Sequence, residues 1–294
     1  MNEHVLSAGE RLLAPATAID RRRSLADRFW KLLSLVATIV VIAPLVAIIY
    51  FVVVRGLPTL TPDLVFNAAG NTTQPGALNA IAGSLQMVPL ALLIGGGLGL
   101  AAGIYMAEFA GPRLVAIGAF VVDVLLGVPS IIAGLLIYGT VVTYVTGSSA
   151  LAGSLALAVI IFPIVMRATE EVLRLVPEAV REASLALGIP KWRTTISVVL
   201  PVARAGLLTG LMLAFSRGFG ETAPLLFTAR GSNALNVGDF GSPMSALPLF
   251  VYQNSRLASD FFVGQAWSAA VVLLAVVLFI NVVVRGRSIG ARVE

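Results

Sequence analysis

Pro177-Glu178-Ala179-Val180-Arg181-Glu182-Ala183-Ser184-Leu185-Ala186-Leu187-Gly188 is a charged, periodic island in an otherwise apolar chain. Glu170, Arg174, Glu178 and Glu182 stand four apart with Arg181 adjacent, so most of these charges can pair along one helical face. Pro177 suits the first position of a new helix, and Gly188 with Pro190 stops it. The spacing therefore predicts roughly three turns from Pro177 to Leu187. Val180, Ala183, Ser184 and Leu187 make a compact stripe suited to a protein groove. Such an element reads as a docking helix; the same pattern also serves a solvated, salt-bridged connector.

On either side lie membrane segments. The 294 residues are 58% hydrophobic and only 12% charged, with a mean hydropathy of +0.95, against about 25% charged in an average soluble domain. Apolar windows of roughly 20 residues can cross ~30 Å of hydrocarbon as helices, and the alternating strands of a membrane barrel are missing. The fold class is all-α and polytopic, with six expected spans: Leu32–Val54, Ser84–Ala107, Leu114–Val142, Leu151–Val165, Ala205–Phe227 and Ala266–Val284. Pro129 predicts a kink in the third span, whereas Pro163 need not end the fourth, because neighbouring helices can satisfy the freed backbone groups. The run from Leu32 is too long for the core of a cleaved signal, so residues 1–31 read as a retained cytoplasmic tail. Residues 32–285 form the membrane domain, with a cytoplasmic loop over 167–204, and residues 286–294 form a C-terminal tail.

Charge sets the orientation. With the N-terminus inside, sixteen of the twenty Lys and Arg residues fall in cytoplasmic segments and only Arg55, Arg230 and Arg256 fall outside. Both termini are thus expected in the cytoplasm. Arg217 is the one left over, inside a span. The basic residues flank spans and form no continuous patch, which argues against nucleic acid as a partner. Two external loops, 55–83 and 228–265, are rich in Pro, Gly, Asn and Ser, as ordered turns or a docking surface require. With no cysteine and a single histidine, His4 in the tail, disulfides, thiolate or histidine metal sites and Ser-His or Cys-His catalysis are excluded. Gly95, Gly99 and Gly103 recur every fourth residue and make a ridge for close helix packing. The run Gly95–Gly99 lacks the Lys-Ser/Thr of a phosphate loop, so no nucleotide site and no ATP hydrolysis are expected of this chain.

Glu182-Ala183-Ser184-Leu185-Ala186-Leu187-Gly188, followed after nine residues by Val198-Val199-Leu200-Pro201, resembles the cytoplasmic EAA motif of ABC importer permeases. Ser184 stands for the motif's second Ala, and Val198 for its Ile. The resemblance spans about 77–285 and implies a type I ABC importer permease fold. It also implies coupling to a separate ATPase through Glu182, Ala183, Ser184 and Gly188, with Leu200 and Pro201 closing the element. Gly220–Ala229, Val128–Gly134 and Met244–Pro248 are similar to the A-type permease subunits of bacterial phosphate importers. That similarity implies an inner-membrane complex surrounded by lipid: a second permease of related fold, two ATPase copies using ATP and Mg, and an external phosphate-binding protein. No cofactor is implied for this chain itself.

Arg217 and Glu221 are four apart about midway along the fifth span, where an Arg costs about 2.5–3.5 kcal/mol unless it faces protein or water. The pair serves either as a fixed, self-neutralising packing device or as a waypoint for an oxyanion, since a guanidinium fork matches phosphate oxygens. Arg167, with Glu170 as its expected partner and Glu171 beside it, reads as a topology anchor or an inner gate. Asp123, about ten residues into the third span, is placed to pair with either arginine. The candidate phosphate route is therefore Arg217, Glu221, Arg167, Glu170 and Asp123. Other oxyanions (sulfate, molybdate, a phosphonate) stay open as cargo, as does a proton-coupled transporter titrating Glu221 or Asp123. A membrane enzyme would need a His base, a metal cluster or paired carboxylates within the spans, and these are missing.

Overall fold

The computed structural model describes residues 18–69 and 76–290, so the first part of the N-terminal tail, residues 70–75 and the last residues of the C-terminal tail lie outside the described residues. Besides a five-residue helix at Pro62–Phe66, its helices are α1 (Ala18–Gly56), α2 (Leu78–Glu108), α3 (Pro112–Gly127), α4 (Ser130–Thr146), α5 (Ala150–Arg174), α6 (Glu178–Ala186), α7 (Lys191–Phe219), α8 (Ala223–Thr228), α9 (Leu247–Ser255) and α10 (Asp260–Gly290). Five helices are long and apolar enough to cross a membrane, and the α3–α4 pair supplies a sixth if it is one broken span. The chain divides after Phe51 into two units. In the first unit, every described side chain from Arg22 to Phe51 is exposed.

The second unit is built around α5. The glycine ridge of α2 lies on it: a Cβ at Gly95 would stand 2.3 Å from the Ala158 carbonyl oxygen, and one at Gly99 2.6 Å from that of Phe162. Only residues without a side chain let two backbones approach this closely, and where lipid is as apolar as Leu, such packing rather than water exclusion holds helices together. On the other flank, α7 runs antiparallel to α5, with positions 206, 210 and 218 meeting Val172, Ala168 and Ile161. Met87, Leu157, Ile161, Phe219 and Leu225 fill the core between these helices and are almost completely buried.

The helices run past the apolar windows, because hydropathy marks the part in hydrocarbon and hydrogen bonding carries the helix further. Thus α5 continues through Pro163 to Arg174, and α7 starts at Lys191 rather than near Ala205. Two departures matter for function. The third span is not kinked but broken: α3 and α4 meet at 96°, where Pro129 drives Val128 into an extended conformation. The fifth span likewise stops at Phe219 and restarts at Ala223. There Gly220 ends the helix, and Pro224, which cannot donate a backbone hydrogen bond, is accommodated in the first turn of the next one.

Candidate functional site

The first of the two breaks opens onto a cavity through Val128 and Ser130, and Arg217, two residues before the second, reaches the same space. This cavity of about 590 Å³ is walled by apolar side chains of α3, α4, α5 and α7, such as Leu126, Ala133, Ile160 and Leu213, into which Ser130, Arg167, Glu171 and Arg217 intrude. Irregular backbone at membrane depth is tolerated only where protein buries it or where it lines a cavity, and the α3–α4 break meets that condition at the cavity wall. The α5–α7 register sets the depth. Gly218 lies against Ile161, eleven residues into α5, which is roughly 16 Å from the N-terminal end of that helix, a length equal to half the hydrocarbon thickness. Arg167 lies about 9 Å nearer the C-terminal end. Two guanidinium groups therefore share one cavity at successive depths.

Both arginines are held in the same way. Arg217 donates from Nε to Glu221 Oε1 at 2.6 Å, and Arg167 from Nε to Glu171 Oε1 at 2.8 Å. The Glu221 side chain is only 11% exposed, whereas Arg217 keeps 59% of its own open. Each carboxylate thus fixes the back edge of a guanidinium and leaves its two terminal nitrogens without a hydrogen bond among the described residues. Beside Arg217, Asn281 of α10 donates to Ser216 Oγ at 2.9 Å and to the Val277 carbonyl, tying α10 to this level of α7.

Two sequence expectations are corrected. Arg167 pairs with Glu171, not with Glu170; the latter is buried on another face of α5 and accepts from Arg174 Nη2 at 2.8 Å. In a helix of 3.6 residues per turn, position i+4 sits above i while i+3 swings to the other side, and packing against α2 claims that side. Asp123 sits on an exposed face of α3, outside the cavity lining, and forms no ion pair among the described residues. Leu125 and Leu126 of α3 and Val128 just beyond it reach the cavity, and Asp123 is not among them.

The helix expected after Pro177 forms over Glu178–Ala186 with Pro177 as N-cap residue, and Gly188 takes φ +78°, a left-handed conformation that stops it. Its stripe divides in an unexpected way. Val180 packs inward beside Leu173, Val176 and Val199, and Ser184 is buried with its hydroxyl 2.9 Å from that of Thr194. Ser184 is therefore a brace to α7 rather than a contact for a partner. Glu182, Ala183, Leu185, Leu187 and Gly188 remain exposed, Leu187 at 80%. Leu200 is half-buried in the same apolar cluster and Pro201 is exposed. Neither closes the element, because α7 runs straight through them. A wider turn over Thr195–Val199 absorbs the donor that Pro201 lacks.

One cluster went unread in the sequence. Glu108, the last residue of α2, accepts from Arg181 Nη2 at 2.8 Å, and the two side chains are 3% and 13% exposed. Arg181 also donates to the Val176 carbonyl at 2.6 Å and the Leu173 carbonyl at 2.8 Å. The bond to Glu108 raises the Arg181 guanidinium above its ordinary value, outweighing the opposite effect of burial. Removing either partner of a buried pair strands a charge at a cost of about 3–5 kcal/mol. The only available signal was an acidic residue at the end of an apolar helix, next to the negative pole of that helix, where it needs a cation.

A bundle of membrane-length helices with a broken pair, a cavity into which charged side chains reach and an exposed short helix between two of the long ones has the architecture of a type I ABC importer permease. The fold matches the permease of the inward-facing MetNI methionine ABC transporter at a TM-score of 0.58, with 19% identity, covering 72% of this chain and 94% of that one. The chain belongs to the family of binding-protein-dependent transport system inner membrane components, matched over residues 99–286. Similar relatives are named phosphate transport system permease protein PstA. That of Pasteurella multocida is 38% identical over 265 residues, covering 90% of this chain and 94% of the relative, and that of Xylella fastidiosa strain 9a5c is 44% identical over 241 residues, covering 81% of each.

Proposed function

We propose that this chain is the permease subunit of an ATP-driven importer of inorganic phosphate. One observation carries the reading: two guanidinium groups at successive depths of a mid-membrane cavity, each held from behind by a carboxylate with its terminal nitrogens free. A guanidinium fork suits tetrahedral oxyanions, and the names of the relatives single out phosphate among them. Phosphate released by an external binding protein meets Arg217 first and Arg167 next. Glu221 and Glu171 keep each arginine oriented and weaken its grip, so that what is attracted is also released.

ATP and Mg act in a separate ATPase pair that docks on Glu182, Ala183, Leu185 and Gly188. A second permease of related fold completes the route, and both termini face the cytoplasm, in line with the distribution of Lys and Arg. Closure of the ATPases pushes α6, and the rigid helices turn from inward- to outward-facing around the α2–α5 contact. The test is phosphate uptake by liposomes containing the chain and its companion subunits. Arg217→Ala should lower ATP-dependent uptake by at least 100-fold, the loss of about 3 kcal/mol expected for a charge-assisted bond. Wild-type uptake driven by a proton gradient without ATP, or normal transport by Arg217→Ala, would sink the proposal.

A further inference from the structure

The Glu108–Arg181 cluster has no place in the phosphate route, yet it is the most heavily bonded ion pair in the described chain. Arg181 lies in the middle of α6 and, besides a 3.4 Å contact with the exposed Glu178 on its own helix, bonds to two other helices: the Glu108 carboxylate at the cytoplasmic end of α2, and the Leu173 and Val176 carbonyls at and just beyond the cytoplasmic end of α5. Both ends present unpaired carbonyls and the negative pole of a helix, so a cation there satisfies acceptors that have lost their intrahelical partners. Glu108 at such an end repels the same carbonyls unless the cation is present. The three groups therefore hold one another in place, and the planar fork of Arg181 is what allows one side chain to reach all of them.

Little else ties α6 to this side of the molecule. Val180 inserts into the small apolar cluster of Leu173 and Val199, and Ser184 braces against Thr194. The remaining side chains of α6 face outward. A push on the exposed face thus reaches the α2–α5 pair through Arg181, and α2 and α5 are locked together by the glycine ridge, so they move as one body. That body carries Arg167 and the cavity wall.

We infer that the Glu108–Arg181 pair is a coupling strut: Arg181 and Glu108 are positioning residues that convert displacement of α6 into rotation of the α2–α5 body. The inference rests on the reading of α6 as the ATPase docking helix. A purely structural pair would affect assembly and leave coupling in assembled complexes intact.

The experiment uses the whole complex in liposomes, with a Ser130→Cys background that places a thiol in the cavity of a chain that otherwise has none. Labelling of that thiol by a water-soluble maleimide is compared with and without ATP plus vanadate. In the parent complex nucleotide should change the labelling rate. With Glu108→Gln added, the ATPase should still co-purify and hydrolyse ATP while the nucleotide-dependent change shrinks at least five-fold. Arg181→Lys keeps the charge and loses the fork, and should do the same. A nucleotide response equal to the parent's in either variant would overturn the strut, as would failure of both variants to assemble. Failure of the phosphate reading looks different: the parent imports no phosphate although its labelling responds to ATP.

Discussion

Gly95→Ala and Gly97→Ala add the same methyl group two residues apart and should have opposite consequences. At Gly95 the new Cβ would lie 2.3 Å from the Ala158 carbonyl oxygen and 2.8 Å from its Cα, while at Gly97 no atom lies within 4 Å. Ordinary contact begins near 3.4 Å, so α2 and α5 must separate by roughly 1 Å to admit a methyl at 95, since backbone cannot rotate out of the way as a side chain can. Overpacking of this kind costs about 1–3 kcal/mol, and replacing Gly by Ala within a helix returns up to about 1 kcal/mol. The net expectation is a loss of about 1–2 kcal/mol for Gly95→Ala and a neutral or slightly favourable change for Gly97→Ala. At about 2–4 °C per kcal/mol, the thermal midpoint of the purified complex should fall by ~2–8 °C in the first variant and hold or rise in the second. Both are scanned at one rate, because unfolding of such assemblies is kinetic. Equal shifts, or a larger drop for Gly97→Ala, would refute the close-packed ridge.

Two further outcomes follow from local geometry. Gly188 has φ +78° with open space around its missing Cβ, so Gly188→Ala should cost about 1–2 kcal/mol through backbone strain alone, whereas Asn tolerates that conformation; co-purification of the ATPase should weaken for Ala and largely survive for Asn, and equal weakening would count against strain as the cause. In the loop between α8 and α9, the Asp239 carboxylate accepts from Ser242 Oγ at 2.6 Å and from the Gly241 amide, which hold it below the usual carboxylate range. A depressed folded-state value means that this turn contributes stability above the ordinary Asp value and loses it as pH falls through the depressed one. Ser242→Ala should therefore move the acid-induced rise in Gly241 amide exchange toward higher pH, and an unmoved profile would show that the hydroxyl is not responsible.

The opening segment, Pro177–Gly188, was legible because a helix stop, a charge period and an apolar stripe are local features. The same holds for the membrane spans, the glycine ridge, and Arg217 with Glu221, where a separation of four residues brings the side chains together even across the end of α7. Pairing between helices was not legible. Whether Arg167 takes Glu170 or Glu171 depends on which face of α5 is buried, and whether Asp123 meets an arginine depends on how α3 is rotated toward the cavity, which no hydropathy profile contains. Ser184 matched a docking stripe yet faces Thr194, because amphipathicity says that a face is buried without saying whether the chain or a partner buries it. Glu108 and Arg181 are 73 residues apart, and nothing periodic connects them. Composition and period determined that this chain is a helical membrane protein with an arginine inside a span, since hydrocarbon tolerates only internally satisfied backbone, and the motif at Glu182–Gly188 added the resemblance to a permease. Only the tertiary structure decided which charges meet, since that depends on how the helices rotate against one another and on the breaks that redirect them.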